Sequence, residues 1–124
     1  SITSNPEYYN GDIPWLRTNE VNWKNIRDTE IKITNKGMEH SAAKMIPANC
    51  VIVAMYGATA ARAAINRIPL TTNQACCNLI INHDIADPEF VYYALFTLYN
   101  KLVSLKSGGA QPNLNIEKIK RLEL

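Results

Sequence analysis

Residues 49–82, NCVIVAMYGATAARAAINRIPLTTNQACCNLIIN, leave the fold the least freedom. Two apolar runs, 50–55 and 76–81, read as buried strands, and Tyr56-Gly57-Ala58-Thr59 breaks the first of them in the manner of a turn. Between the runs, residues 61–68 alternate. Ala63 and Ile65 fall on one side and Arg62, Ala64 and Asn66 on the other, which predicts a strand with one face on a core and one toward solvent or a ligand. Arg62 and Arg67 stand in this stretch without an acidic residue, so the central sheet offers neutral or positive groups and favours an anionic partner.

The flanking sequence supplies the rest. Residues 1–12 read as an irregular lead-in that ends at Asn10-Gly11-Asp12, and 13–18 as a short strand with Pro14 near its start or at a sheet edge. Thr18 or Asn19 caps one helical turn over 20–23, 29–34 alternates as a half-exposed strand, and Thr34 or Asn35 begins a short helix through Gly37 to Ser41. Residues 44–47 lead into the central strand. After a loop at 83–86, Asp87 as N-cap, Pro88 at the first helical position and Glu89 in the first turn start a helix that runs to about Lys106. Its stripe is Val91, Leu95, Leu98, Leu102 and Leu105, widened by Tyr92, Phe96, Tyr99 and Val103, so it must be covered over more than half its circumference. A small sheet leaves part of that surface for another domain or subunit. Residues 107–113 form a polar loop, Asn115 caps a short helix over 116–120, and a terminal strand starts at Leu122. The fold class expected is α+β: a small, mixed, mainly antiparallel curved sheet with one long core helix and several short helices, in one domain over residues 1–124.

At 124 residues the chain can bury a core without a staple. Its 13 basic and 11 acidic residues leave a net charge of +2, which excludes binding nucleic acid by bulk charge; local placement must serve instead. Cys50, Cys76 and Cys77 sit in apolar runs and read as reduced and cytosolic, without zinc spacing to His40 or His83. Neither a signal peptide nor an apolar run near membrane-spanning length is present, and the chain reads as cytoplasmic, with no membrane partner. It begins without methionine and stops within an apparent element, as a piece of something longer. No nucleophile elbow, metal-ligand set or cofactor motif stands out, so the expectation is no catalytic residue, no metal and no cofactor. One enzyme alternative is a nuclease, from Glu30-Ile31-Lys32 with Asp12 or Asp28 completing an acidic set. A protein-interaction module is the other alternative, from the largely apolar helix after Pro88.

Five pieces occur in order across nearly the whole chain. They are Gly11-Asp12-Ile13-Pro14-Trp15-Leu16-Arg17-Thr18; Ile33-Thr34-Asn35-Lys36-Gly37 with Ser41-Ala42-Ala43-Lys44-Met45-Ile46-Pro47; Val53-Ala54-Met55-Tyr56-Gly57-Ala58-Thr59; Thr72-Asn73-Gln74-Ala75-Cys76; and Gly108-Gly109-Ala110-Gln111-Pro112-Asn113-Leu114-Asn115. This pattern resembles the target recognition domain of type I restriction-modification specificity subunits. The resemblance implies a non-catalytic domain that reads one half of a split target in double-stranded DNA. It also implies long helices that pair as a coiled coil, and methyltransferase (modification) subunits and a restriction motor subunit assembling on the parent protein. A second recognition domain would lie in the same chain or in a dimer mate, and the spacer helix would lie beyond Leu124. Similar domains are also fused to methyltransferases, which is the third alternative.

Base edges in the major groove are read by bidentate donors and acceptors on loops that a sheet holds rigidly. The sequence places such groups at its turns. The candidate DNA contacts are Arg17 and Thr18; Lys36, His40 and Lys44; Tyr56, Thr59 and Arg62; Asn73 and Gln74; and Lys106, Gln111 and Asn113.

Overall fold

The computed structural model describes residues 5–105; the polar loop at 107–113, the short helix at 116–120 and the terminal strand start lie outside the described residues. Seven strands and two α-helices follow in chain order: β1 (Tyr9–Leu16), β2 (Asn25–Ile26), β3 (Ile31–Ile33), α1 (Asn35–Glu39), β4 (Val51–Ala54), β5 (Ala63–Asn66), β6 (Thr71–Thr72), β7 (Cys76–Leu79) and α2 (Pro88–Leu105). The α+β class is as expected, but the strands divide into two sheets, a three-stranded one in the order β3-β1-β6 and a four-stranded one in the order β2-β5-β4-β7. Pairing is antiparallel for β1 with β3 and for β4 with β5 and β7, and parallel for β1 with β6 and β2 with β5.

The two apolar runs pair with each other, Val51 opposite Leu79 and Ala54 opposite Cys76. Alternation then sorts the larger sheet's side chains into two layers. Ile52, Ala54 and Ala64 pack with Leu16, Val21, Ile26, Ile46 and Leu70 beneath one face, while Val51, Val53, Ala63, Ile65 and Cys77 pack with Val91 and Leu95 of α2 on the other. This overturns the reading of 61–68 as half exposed. Ala64 and Asn66 are both 0% exposed, because a layer built from residues remote in sequence covers the face that the alternation offered to solvent.

Strand β1 starts earlier than its apolar segment suggests. Tyr9 and Ile13 both register with Ile33, so residues 10–12 bulge out of the ladder. Gly11 makes that bulge possible, since a Cβ there would meet the Ile33 carbonyl oxygen at 2.1 Å and Thr34 Cα at 2.6 Å. Gly11→Ala is expected to destabilise the fold by about 3 kcal/mol, at the upper end of overpacking costs, because both obstacles are backbone. A shift of the urea midpoint at constant slope would measure it.

The predicted helical turn at 20–23 is instead a 3-10 turn at Thr18–Glu20, entered from Arg17 without a side-chain cap. Two requirements end it early. Val21 is buried in the core, and Trp23 adopts φ +57° while its N–H donates to the Ala63 carbonyl at 2.7 Å. The indole stands edge-on to Tyr92, Phe96 and Tyr99, with centroids 5.6, 4.9 and 5.4 Å away, and so covers the second face of α2. Thr34, of the two candidates, caps α1, its hydroxyl accepting from Gly37 N at 3.0 Å. In α2 only Pro88, Val91 and Leu95 are fully buried. Phe90, Tyr93, Phe96, Val103 and Leu105 are exposed, so cover over more than half the circumference is not realised: the sheet lies under the first turns and the helix outlasts it.

Candidate nucleic-acid interface

Asn73 follows β6 and sets the first turn of the site. Its backbone N–H donates to the Leu16 carbonyl at 3.0 Å, which fastens it to the end of β1, and its Oδ1 accepts from Ala75 N at 3.2 Å. That bond closes an Asx turn and leaves Gln74 exposed at the tip. Across from it runs the segment after α1. Ser41 Oγ donates to the Met38 carbonyl at 3.1 Å and accepts from Ala43 N at 3.2 Å, and the Ile46–Leu70 bridge returns the chain to the core. Between the two segments lies a cleft of about 800 Å³, lined by His40, Lys44, Asn73 and Gln74 and floored in part by Trp15, Thr72, Cys76 and Asn78. Four of the nominated residues are thereby gathered in one place. The His40 ring stacks on Tyr8 at 5.6 Å, and Lys44 is exposed with no polar partner among the described residues. Glu39 is the single acidic residue of the lining.

A second group lies where β1 leaves its sheet. Thr59 Oγ1 donates to the Thr18 carbonyl at 2.5 Å, joining the 3-10 turn to the turn after β4. That turn requires Gly57 for its φ of +86° and carries Tyr56 at its tip, 70% exposed. Beside it, an Arg17 terminal nitrogen pairs with Glu30 Oε2 at 3.2 Å, while Arg17 Nε is buried without a partner.

Two nominated cations are held elsewhere. Arg62 donates to the Tyr99 hydroxyl at 3.2 Å and to Asn22 Oδ1 at 3.1 Å, its guanidinium 5.8 Å from the Tyr99 ring centroid. Lys36 forms an ion pair with Glu7. Lys106, Gln111 and Asn113 lie outside the described residues. Trp15, Thr72 and Asn78 were not among the nominated residues; the one signal was an asparagine inside the apolar run 76–81.

Of the acidic set that a nuclease would need, Glu30 is engaged by Arg17, and Asp28 by Lys32 at 2.9 Å. No group of three or more His, Cys, Asp or Glu residues placed to hold a metal occurs among the described residues. Burial, with the neighbouring Cys77 adding to it, pushes the Cys76 thiol up to about 12, so the sulfur in the cleft stays protonated at neutral pH.

Glu20, 6% exposed, ties the second group together: Oε1 accepts from Glu30 N at 3.2 Å, and Oε2 is buried without a partner. Burial raises its pKa above 4.5, against the lowering effect of the Glu30 N–H. A raised carboxyl favours folding below its unfolded value and loses that contribution as pH rises through its folded one. Glu20→Gln is therefore expected to match the parent near pH 4 and to exceed it in stability at neutral pH, read from urea midpoints across that range.

A family model described as type I restriction modification DNA specificity domain matches residues 1–124. The chain is similar to a type I restriction enzyme specificity subunit of Methanocaldococcus jannaschii, 30% identical over 124 residues that cover 95% of this chain and 28% of the relative. It is similar also to a type I restriction enzyme specificity subunit of Escherichia coli, 24% identical over 115 residues that cover 89% of this chain and 28% of the relative. The chain thus spans about 28% of the length of either curated relative.

Proposed function

The chain belongs to the type I restriction modification DNA specificity domain family, and from that premise we propose that it reads one half of a split target in double-stranded DNA while companion subunits carry out the chemistry. The observation that carries this is the cleft, where Lys44 and His40 on one wall face the Gln74 turn on the other. Lys44 and His40 are assigned to phosphates, Gln74 to a base edge, and Asn73 to holding that turn. Arg17, Thr18, Tyr56 and Thr59 extend the contact along the neighbouring turns, and Lys106, Gln111 and Asn113 belong to the same proposed surface. Lys36 and Arg62 reach DNA only by releasing Glu7, or Asn22 and Tyr99.

The proposed partners are methyltransferase subunits, a restriction motor subunit and a second recognition domain, in the same chain or in a dimer mate, in the cytoplasm. No helix of the described residues is long and apolar enough to cross a membrane. The exposed Phe90, Tyr93, Val103 and Leu105 of α2 support a contact with one of those companions.

The decisive experiment offers randomised duplexes to the full-length protein with its companions and sequences those retained. A defined half-site is expected, with affinity falling steeply as salt rises. Retention without sequence preference, or binding indifferent to salt, would refute the reading.

A further inference from the structure

Two residues that line the cleft each carry a buried polar atom without a hydrogen-bond partner, Trp15 Nε1 and Asn78 Oδ1. Native folds seldom leave such groups unpaired, and a ligand that supplies the missing partners recovers what the fold forgoes. Trp15, 4% exposed, is fixed in β1 between Ile31 and Thr71, and the Asn78 amide donates through Nδ2 to Thr72 Oγ1 at 2.8 Å, which leaves Oδ1 as the open acceptor. The site therefore offers one donor and one acceptor. The complementary ligand carries an acceptor and a donor of its own.

A nucleobase has this chemistry on its Watson–Crick edge, and pockets that take unstacked bases read that edge with hydrogen bonds while apolar and aromatic side chains hold the faces. At about 800 Å³ the cleft is of the size that holds a small molecule. A base still stacked in a duplex presents only its groove edge and does not descend to such a floor. Both orphan atoms are buried, and one wall of the cleft is the irregular segment 41–44, where Ala42 and Lys44 are exposed. Admission of a base needs that segment to draw back, with the sheet left closed. Lys44 on the same wall suits the phosphate that follows the base.

We propose that this cleft takes a single unstacked nucleobase, which accepts from Trp15 Nε1 and donates to Asn78 Oδ1. The source is a base turned out of the bound duplex or a free nucleoside, and the first of these rests on the DNA reading above.

The test uses the full-length protein with its companions, bound to its selected duplex with 2-aminopurine placed at one target position at a time. In a second arm, free adenosine, cytidine, guanosine and thymidine are titrated by calorimetry. Trp15→Phe keeps the ring and removes the donor; Asn78→Ser removes the amide oxygen. Urea unfolding of each variant shows whether it is folded, and either folded variant suffices. A fluorescence rise at one position that every folded substitution abolishes, with affinity lowered about tenfold or more, supports the duplex source. Nucleoside binding abolished by the same substitutions supports the free one. A signal in neither arm, or one that survives a folded substitution because it arises elsewhere, as in the companion subunits, overturns the proposal. If sequence-selective DNA binding persists in that case, the cleft assignment alone has failed; if the parent protein shows no sequence preference, the reading beneath it has failed too.

Discussion

Asn66→Leu is expected to lower the unfolding free energy by about 3 kcal/mol, as much as the loss of a large core side chain, although volume and apolarity are preserved or improved. Asn66 is 0% exposed at the end of β5. Its Oδ1 accepts from Cys50 N at 2.9 Å, and its Nδ2 donates to the carbonyls of Pro47 and Ile68 at 2.7 and 3.0 Å. One amide therefore satisfies three backbone groups where the chain enters β4 and leaves β5. Leucine orphans all three, and a buried unpaired group costs roughly 1–3 kcal/mol before the loop relaxes toward water. Asn66→Asp separates the contributions. The carboxylate still accepts from Cys50 N but turns a negative oxygen toward two carbonyls, so aspartate should be worse than leucine at neutral pH and recover part of the difference in acid, where protonation restores a donor. If both variants unfold at the parent's urea midpoint, the bonds contribute nothing net and the segment 47–50 is held by packing alone.

Asn66 also shows where the sequence stopped being informative. The apolar runs that became β4 and β7 were legible because local hydrophobicity and the pairing partner agree, and α2 announced itself through Asp87-Pro88-Glu89, its observed range being Pro88–Leu105. Thr34 was legible as a cap for the same local reason. Alternation in 61–68 was also visible, but it reports only that a strand has two faces. That the second face of β5 is roofed by Leu16, Val21 and Leu70 depends on chain far away, and a polar residue there reads as solvent-facing until its three backbone partners are known. The division into two sheets is likewise a product of tertiary pairing, since β6 joins β1 in parallel across more than fifty residues of chain.

The interface was legible in proportion to how polar and how local its residues are. His40, Lys44, Asn73 and Gln74 advertise themselves at turns, and the fold brings them to one cleft. Trp15 and Asn78 share that cleft but sit in strands, where an aromatic and a short amide read as core or filler. Arg62 and Arg67 show the opposite case. Charge on a central strand suggested an outward-facing contact, yet Arg62 is engaged by Asn22 and Tyr99, and Arg67 by Asn25 at 2.8 Å, Asn49 at 2.8 Å and Glu89 at 2.7 Å. These guanidinium groups pin the ends of β5 to its neighbours and to α2, so the positive charge serves the scaffold first.

Lys44→Ala and Gln74→Ala should both impair target binding by the full-length protein with its companions, in ways that one salt titration tells apart. Lys44, exposed and without a polar partner among the described residues, is placed to meet a phosphate. Its removal should weaken target and unrelated duplexes alike and reduce the slope of log affinity against log salt by about 0.9, the release of one condensed counterion. Gln74 carries no charge, so its loss should leave the slope and the binding to unrelated duplexes unchanged. It should instead erode discrimination at one base pair by about 1–3 kcal/mol, roughly five- to 150-fold. The contrast matters more than either loss, because a protein loosened by mutation would weaken everything and change no slope in a residue-specific way. Equal, sequence-independent losses with unchanged slopes from both substitutions would mean that the cleft only supports the fold, and that DNA meets this domain on the Tyr56 side.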